Sequence, residues 1–248
     1  MAANNETGVI QPLREVVDLA HERGLPVHSD AVQAAGKIPL AVKELGVDLL
    51  SLSAHKFHGP KGVGVLYVRR GLRFEPWLRG GGQEAGRRAG TENTAGIVGM
   101  AAAAAWISRR PAETREHPAS LPRDAFEAKV LAEIQGITVN GDKLHRLPNT
   151  SHLSFDECDT AGLLILLEKA GVLCSGGSAC LTGQPRPSHV QLAMGIPEAR
   201  ARTSLRISFS LLNTLDEALA AADAVKQAVA KLRRVQGSGM GPVLLYSP

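Results

Sequence analysis

Apolar residues recur at helical spacing over residues 11–23, QPLREVVDLAHER, where Leu13, Val16, Val17 and Ala20 predict a helix that Gly24 stops. LPVHSDA follows as a short strand ending at Asp30, PLAVKELG as a helical stretch closed by Gly46, and VDLLSLSA as a second strand. That second strand is too uniformly apolar to have one wet face. Helix, strand, helix, strand with short joins predicts a parallel sheet covered on both sides. The next apolar run, VGVLYVRR, lies only a GPKG turn beyond the second strand. A parallel crossover needs far more chain, so this strand runs back antiparallel near the sheet edge. The pattern predicts a mixed, mostly parallel sheet.

Beyond it, residues 80–91, GGGQEAGRRAGT, read as a flexible basic loop, and AGIVGMAAAAAWI as a long alanine-rich helix. Residues 109–124 hold three prolines and many charges, which no straight helix crosses, so a boundary is expected there. Then come a helix near 124–135, strands at GITVNG and TSHLSF, a helix at TAGLLILLEKAG, a strand at LRISFS, and a last helix opened by the capping box Thr214-x-x-Glu217. The expected division is an α/β domain over 1–108 and an α+β domain over 109–248. No internal repeat is visible, and the tail GSGMGPVLLYSP takes no assignment.

Composition narrows the function classes. At 248 residues and 44% hydrophobic the chain can bury a full core, but with 4% aromatic that core rests on Ala, Val, Leu and Ile. The net charge is +4, with scattered basic residues and one pair, Arg87-Arg88, lacking interleaved aromatics. Nucleic-acid binding is not expected. No apolar run reaches the roughly 18 residues of a membrane span, and MAANNETG has no secretory pattern. The three cysteines lack paired spacing, which fits a reducing cytoplasm. His55 and His58 lack the His-Glu-x-x-His spacing and a third ligand, so no metal site is expected.

Asp30 and Lys56 close two strands joined by one helix. In a right-handed βαβ unit both carboxyl ends open on the same sheet edge, where open α/β sheets place ligands. A lysine that holds pyridoxal phosphate and an aspartate that keeps its ring nitrogen protonated are one use of such a pair; an ordinary salt bridge is another. Leu205, Ile207 and Phe209 alternate with Ser204, Arg206 and Ser208, which turns Arg206 away from the core, and its planar guanidinium suits a carboxylate. Cys180 lies in GGSACLTG, a stretch of small residues suited to a mobile, accessible thiolate.

The segments MAANNETGVIQP, HSDAVQAAGK, SLSAHKFHGPKGVG and GGGQEAGRRAGTENT, and later RLPNTSHLSF, CSGGSACLTG, RPSHVQLAMGI and SLRISFSLLNT, resemble the NifS/IscS-type cysteine desulfurases in the same order. These belong to the class-V aminotransferase group, and the resemblance covers nearly all of residues 1–225. It implies a fold type I enzyme dependent on pyridoxal 5'-phosphate, here with part of the large domain and a smaller C-terminal domain. By position, Lys56 is implied as the cofactor lysine, His55 and Ser53 as phosphate contacts, and Asp30 as the pyridine-nitrogen partner. Gln33 and Asn5 are implied around the ring hydroxyl, and Asn5 also at the substrate carboxylate. Arg206 is implied as the substrate-carboxylate arginine and Thr91 as a contact to a neighbouring subunit's cofactor, hence a homodimer. Cys180 is implied as the cysteine that takes sulfur from L-cysteine as a persulfide and hands it to an acceptor or scaffold protein, as in iron–sulfur cluster assembly. Cys174 is expected to be a bystander or a disulfide trap for Cys180, Cys158 structural, and His189 a helix-starting residue.

The family carries a segment ahead of ANNETG, bearing a phosphate-gripping turn and a histidine that stacks on the pyridine ring. The expectation is therefore a fragment, a wrong start site or a decayed gene, binding cofactor poorly. Ser210-Leu211 stands where the family has Gly-Arg. The alternatives are a selenocysteine lyase, a class-V aminotransferase without persulfide chemistry, and a non-catalytic dimerising or binding chain.

Overall fold

The computed structural model describes residues 1–109, 117–176 and 187–237. The chain forms two compact units: Met1–Asn4 with Ile10–Arg115, and Asn5–Val9 with Glu116–Pro248. Residues 5–9 thus group with the second unit.

In the first unit, helix α1 (Leu13–His21) buries Leu13 and Val17 and is steadied outside by the Arg14–Asp18 pair at 2.8 Å. Strands β1 (His28–Asp30), β2 (Leu49–Ser53) and β3 (Gly64–Val68) form one sheet in that order. β1 and β2 are parallel and β3 is antiparallel to β2, as the short GPKG turn requires. The helix expected across PLAVKELG shrinks to one turn, α2 (Val42–Leu45), closed by Gly46 at φ 73°. β2 is less enclosed than its apolar run suggests: only Leu50 is buried.

Asp48 locks the entrance to β2. Its carboxylate is buried and takes hydrogen bonds from the Val27 amide at 2.7 Å and His21 Nε2 at 2.8 Å, with Arg69 Nη2 at 2.6 Å. Burial alone would raise its pKa, but the His21 and Val27 hydrogen bonds and the Arg69 charge hold it below the usual carboxylate range. At the other end of β2 a 3-10 turn, Ala54–Phe57, buries Ala54 and Phe57. Both pack with Ala35 of the turn after β1 and Ala103 of helix α3 (Thr94–Ser108), a small-residue core in keeping with the few aromatics. The Asn93 side chain caps α3 by accepting from the Gly96 amide at 3.0 Å.

The second unit is an antiparallel sheet, β4 (Ile137–Val139), β5 (Thr150–Phe155) and β6 (Ser204–Ser208), with β5 central. Helices α4 (Ser120–Glu133), α5 (Thr160–Lys169) and α8 (Leu215–Gly237) supply its apolar side. Phe126 and Phe209 meet at 5.5 Å within a core that includes Leu153, Phe155, Leu205 and Val229. α4 begins at Ser120, four residues earlier than expected. Pro122 is tolerated there because amides of a first helical turn have no intrahelical partner to lose. The capping box stands as read: Glu217 N–H donates to Thr214 Oγ1 at 3.2 Å and Thr214 N–H to Glu217 Oε2 at 3.0 Å.

The segment 5–9 is pinned here by the Leu147 amide, which donates to the Gly8 carbonyl at 2.8 Å, and by a bridge from Val9 to Arg146. Gly8 sits at φ 76°, and a Cβ on it would lie 2.9 Å from Thr150 Cβ, so only glycine fits. Two one-turn helices, α6 (His189–Ala193) and α7 (Glu198–Ala201), precede β6. α6 opens at His189, but its capping side chain is Ser188, which accepts from the amides of Val190 and Gln191. None of the described helices is long and apolar enough to cross a membrane.

Candidate functional site

In the first unit, the parallel register sets Asp30 beside Ser51, so the carboxyl ends of β1 and β2 finish together. Asp30 closes β1, and its Oδ1 accepts from the Val32 amide at 2.8 Å, which orients the carboxylate at the strand end. One strand over, Ser53 ends β2, and the 3-10 turn then presents His55 and Lys56 as exposed side chains between buried Ala54 and Phe57. Ser53 Oγ and His55 Nδ1 share a hydrogen bond of 2.8 Å. His28 Nε2 reaches Ser51 Oγ at 2.7 Å. Strand alternation puts His28 on the same face as Asp30, a neighbour the sequence reading did not single out.

Gln33 lies in the turn after β1, where its carbonyl accepts from Lys37 Nζ at 2.7 Å. Thr91 is exposed just ahead of α3. A primary amine, a carboxylate, a hydroxyl and an imidazole therefore occur within one strand-end cluster. That donor set fits a phosphorylated pyridine aldehyde: the amine for its carbonyl, the carboxylate for its ring nitrogen, the hydroxyl and imidazole for its phosphate.

Asn5 and Arg206 belong to the second unit. Arg206 Nη1 donates to the Asn5 carbonyl at 2.6 Å. Among the described residues this is the guanidinium's sole hydrogen bond, which leaves the Nε–Nη2 edge for a bidentate anion. Burial lowers the Arg206 pKa from the usual guanidinium range, opposed by the Glu6 carboxylate. Glu6 is itself buried and accepts from Ser188 Oγ at 2.5 Å.

Arg206 does turn away from the apolar core, but the layer it joins is buried and polar. His152 lies opposite it in register, fully buried. Asn140 Nδ2 donates to His152 Nδ1 at 3.0 Å and to Ser154 Oγ at 2.8 Å; Ser154 meets Ser204 at 2.8 Å, and Ser204 donates to Gln191 Oε1 at 2.7 Å. Burial first, and the Arg206 charge second, push the His152 pKa down to about 4, so its imidazole is neutral at pH 7.

Cys180 lies outside the described residues. The other two cysteines are free thiols. Burial raises the pKa of Cys158, and burial pushes that of Cys174 up to about 11, so neither is a ready nucleophile near neutral pH. Arg206 is bridged to Ser175, next to Cys174, through Ser175 N–H to Arg206 O at 3.1 Å and the reverse bond at 2.7 Å.

The family model described as aminotransferase class-V matches residues 1–220. The chain is 46% identical over 248 residues to the cysteine desulfurase NifS of Azotobacter vinelandii, covering 98% of this chain and 61% of that protein. It is 51% identical to a cysteine desulfurase of Klebsiella pneumoniae over 85% of this chain and 52% of the relative. Among solved structures, a NifS-like protein from Rickettsia africae superposes with TM-score 0.82 at 31% identity, covering 92% of this chain and 60% of that one. A structure described as SspA in complex with cysteine gives TM-score 0.70 at 33% identity, covering 86% and 58%. The chain thus spans between 52% and 61% of the length of these relatives, and the fold type I expectation holds.

Proposed function

Because the chain belongs to the class-V aminotransferase family, whose enzymes depend on pyridoxal 5'-phosphate, we propose that it is a cysteine desulfurase chain, taking sulfur from L-cysteine and leaving L-alanine. The observation that carries this reading is the strand-end cluster. Asp30 and Lys56 follow two hydrogen-bonded parallel strands, with Ser53 and His55 joined beside the lysine.

In this reading Lys56 Nζ would hold the cofactor carbonyl and would carry the substrate's α-proton. Asp30 keeps the ring nitrogen protonated, Ser53 and His55 hold the phosphate, and Gln33 and Asn5 serve the ring hydroxyl. The cofactor supplies an electron sink for the substrate's α-carbon. Arg206 binds the substrate carboxylate through the edge that its Asn5 bond leaves open. Cys180 thiolate takes the substrate sulfur as a persulfide; the S–Cβ bond breaks, and Cβ gains a proton to become alanine's methyl group. The upward pKa shifts that burial gives Cys158 and Cys174 support giving that role to Cys180. The resemblance further supports a homodimer with Thr91 directed to the partner's cofactor, a cytoplasmic setting, and delivery of sulfur to an acceptor such as an iron–sulfur scaffold.

The test is to load the chain with pyridoxal 5'-phosphate and measure alanine and reductant-released sulfide from L-cysteine. Lys56→Ala is expected to lose the bound chromophore. Cys180→Ala is expected to keep the chromophore and lose sulfide release. Sulfide at the parent rate from Cys180→Ala would overturn the desulfurase reading and favour a lyase of the selenocysteine-lyase kind that needs no persulfide cysteine; loss of the amino group with no sulfide from the parent would favour a transaminase.

A further inference from the structure

His58 ends the 3-10 turn that carries Lys56, and it does so at φ 69°, ψ 10°. This is left-handed backbone, where glycine is the residue without a steric penalty. Glycine follows immediately, at Gly59, yet the left-handed position itself holds histidine. Backbone chemistry alone therefore does not account for the choice. The ring does: His58 meets Trp106 of α3 edge-on, with centroids 5.4 Å apart and planes at 82°.

The turn depends on that backbone. The Gly59 amide donates to the Ala54 carbonyl at 2.9 Å and closes the loop around Lys56. A Cβ on Gly59 would fall 2.8 Å from Ala54 Cβ, so glycine is needed at 59 for close approach and the left-handed residue falls at 58. Phe57 anchors one side of the turn in the core with Ala103 of α3, and His58 anchors the other on Trp106 of the same helix. Lys56 is thus presented from a turn held to α3 at two successive residues. Backbone held in a costly conformation next to a reactive group points to pre-organisation.

We propose that His58, through its ring contact with Trp106, is a positioning residue for Lys56. The inference rests on the reading of Lys56 as the cofactor lysine. A second exposed lysine, Lys61, lies beyond this turn in the GPKG segment and serves as an internal control.

The parent chain and the variants His58→Ala, His58→Gly, His58→Phe and Trp106→Ala are mixed with limiting pyridoxal 5'-phosphate and reduced with borohydride. Peptide mapping then gives the ratio of label on Lys56 to label on Lys61. The parent is expected to favour Lys56, and His58→Ala and Trp106→Ala to lower the ratio about 10- to 100-fold, the upper figure being what a misplacement of about 1 Å can cost. His58→Phe is expected to restore it. His58→Gly discriminates, because it adopts the left-handed backbone freely but has no ring, and it is expected to follow His58→Ala. A purely structural role would lower the melting temperature and leave the ratio unchanged. Parent-like ratios in His58→Gly and Trp106→Ala overturn the inference alone. Absence of label from Lys56 in the parent overturns the cofactor reading and this inference with it.

Discussion

Arg206 Nη1 donates to the carbonyl of Asn5 at 2.6 Å, joining residues 201 positions apart in the chain. The bond uses one arm of the guanidinium and fixes the direction of the other. A lysine ammonium cannot keep the Asn5 bond and also present a planar fork. Arg206→Lys is therefore expected to weaken binding of an amino-acid carboxylate by about 10- to 100-fold, the equivalent of one charge-assisted hydrogen bond. Titration of the cofactor-loaded chain with L-alanine, read by the visible spectrum, measures this. Unchanged affinity would remove Arg206 from the substrate site.

His152 gives the second unit an acid weakness. Its folded pKa, about 4, lies below the unfolded value near 6.5. Protons therefore favour the unfolded chain, so this contribution to stability is whole above pH 6.5 and declines as pH falls toward 4. The loss over that window is about 3 kcal/mol. His152→Gln should flatten the decline, and urea melts at pH 7 and pH 4.5 compare the two. An equally steep fall in the variant would assign the sensitivity to other groups.

Glu127 of α4 accepts both Arg146 Nη atoms, at 2.8 and 2.7 Å, and the Ser151 hydroxyl at 2.6 Å, with little solvent contact. Burial would raise its pKa, but the Arg146 and Ser151 hydrogen bonds and the Arg146 charge hold it below the usual range. Glu127→Ala leaves Arg146 buried without its carboxylate and should cost about 3–5 kcal/mol. Pairing it with Arg146→Met should recover much of that loss. A double variant as unstable as the single one would show that packing, not charge, is at stake.

The thiols should separate by reactivity. Burial disfavours the thiolates of Cys158 and Cys174, so iodoacetamide at pH 7.5 is expected to alkylate Cys180 well ahead of both. Mass spectrometry over a time course gives the order, and first reaction at Cys174 would argue against Cys180 as the sulfur-accepting residue.

What the sequence disclosed was mostly local or periodic. The Thr214–Glu217 box needs only three residues of chain, and Asp30 and Lys56 follow from where two apolar runs stop. Arg206 was legible as a residue facing away from the core because alternation fixes its side of β6. The character of that other side was not legible. Each residue of β5 is buried, including His152 and Ser154, because Asn140, Gln191 and Ser204 arrive from distant parts of the chain to satisfy them. The early start of α4 escaped because a proline's cost depends on whether it falls in the first turn. The Glu6–Ser188 bond, spanning 182 positions, has no local signature.

The assignment of residues 5–9 to the second unit has a consequence for synthesis. This segment leaves the ribosome long before the strand that holds it. At roughly 5–20 residues per second, the 201 positions between Asn5 and Arg206 take about 10–40 s to translate. Throughout that interval the first unit's residues 10–109 can already condense on the flanking chain, while Asn5 and Glu6 wait for Arg206 and Ser188. Closure of the nascent chain on its own early segment is therefore among the last steps of folding during synthesis.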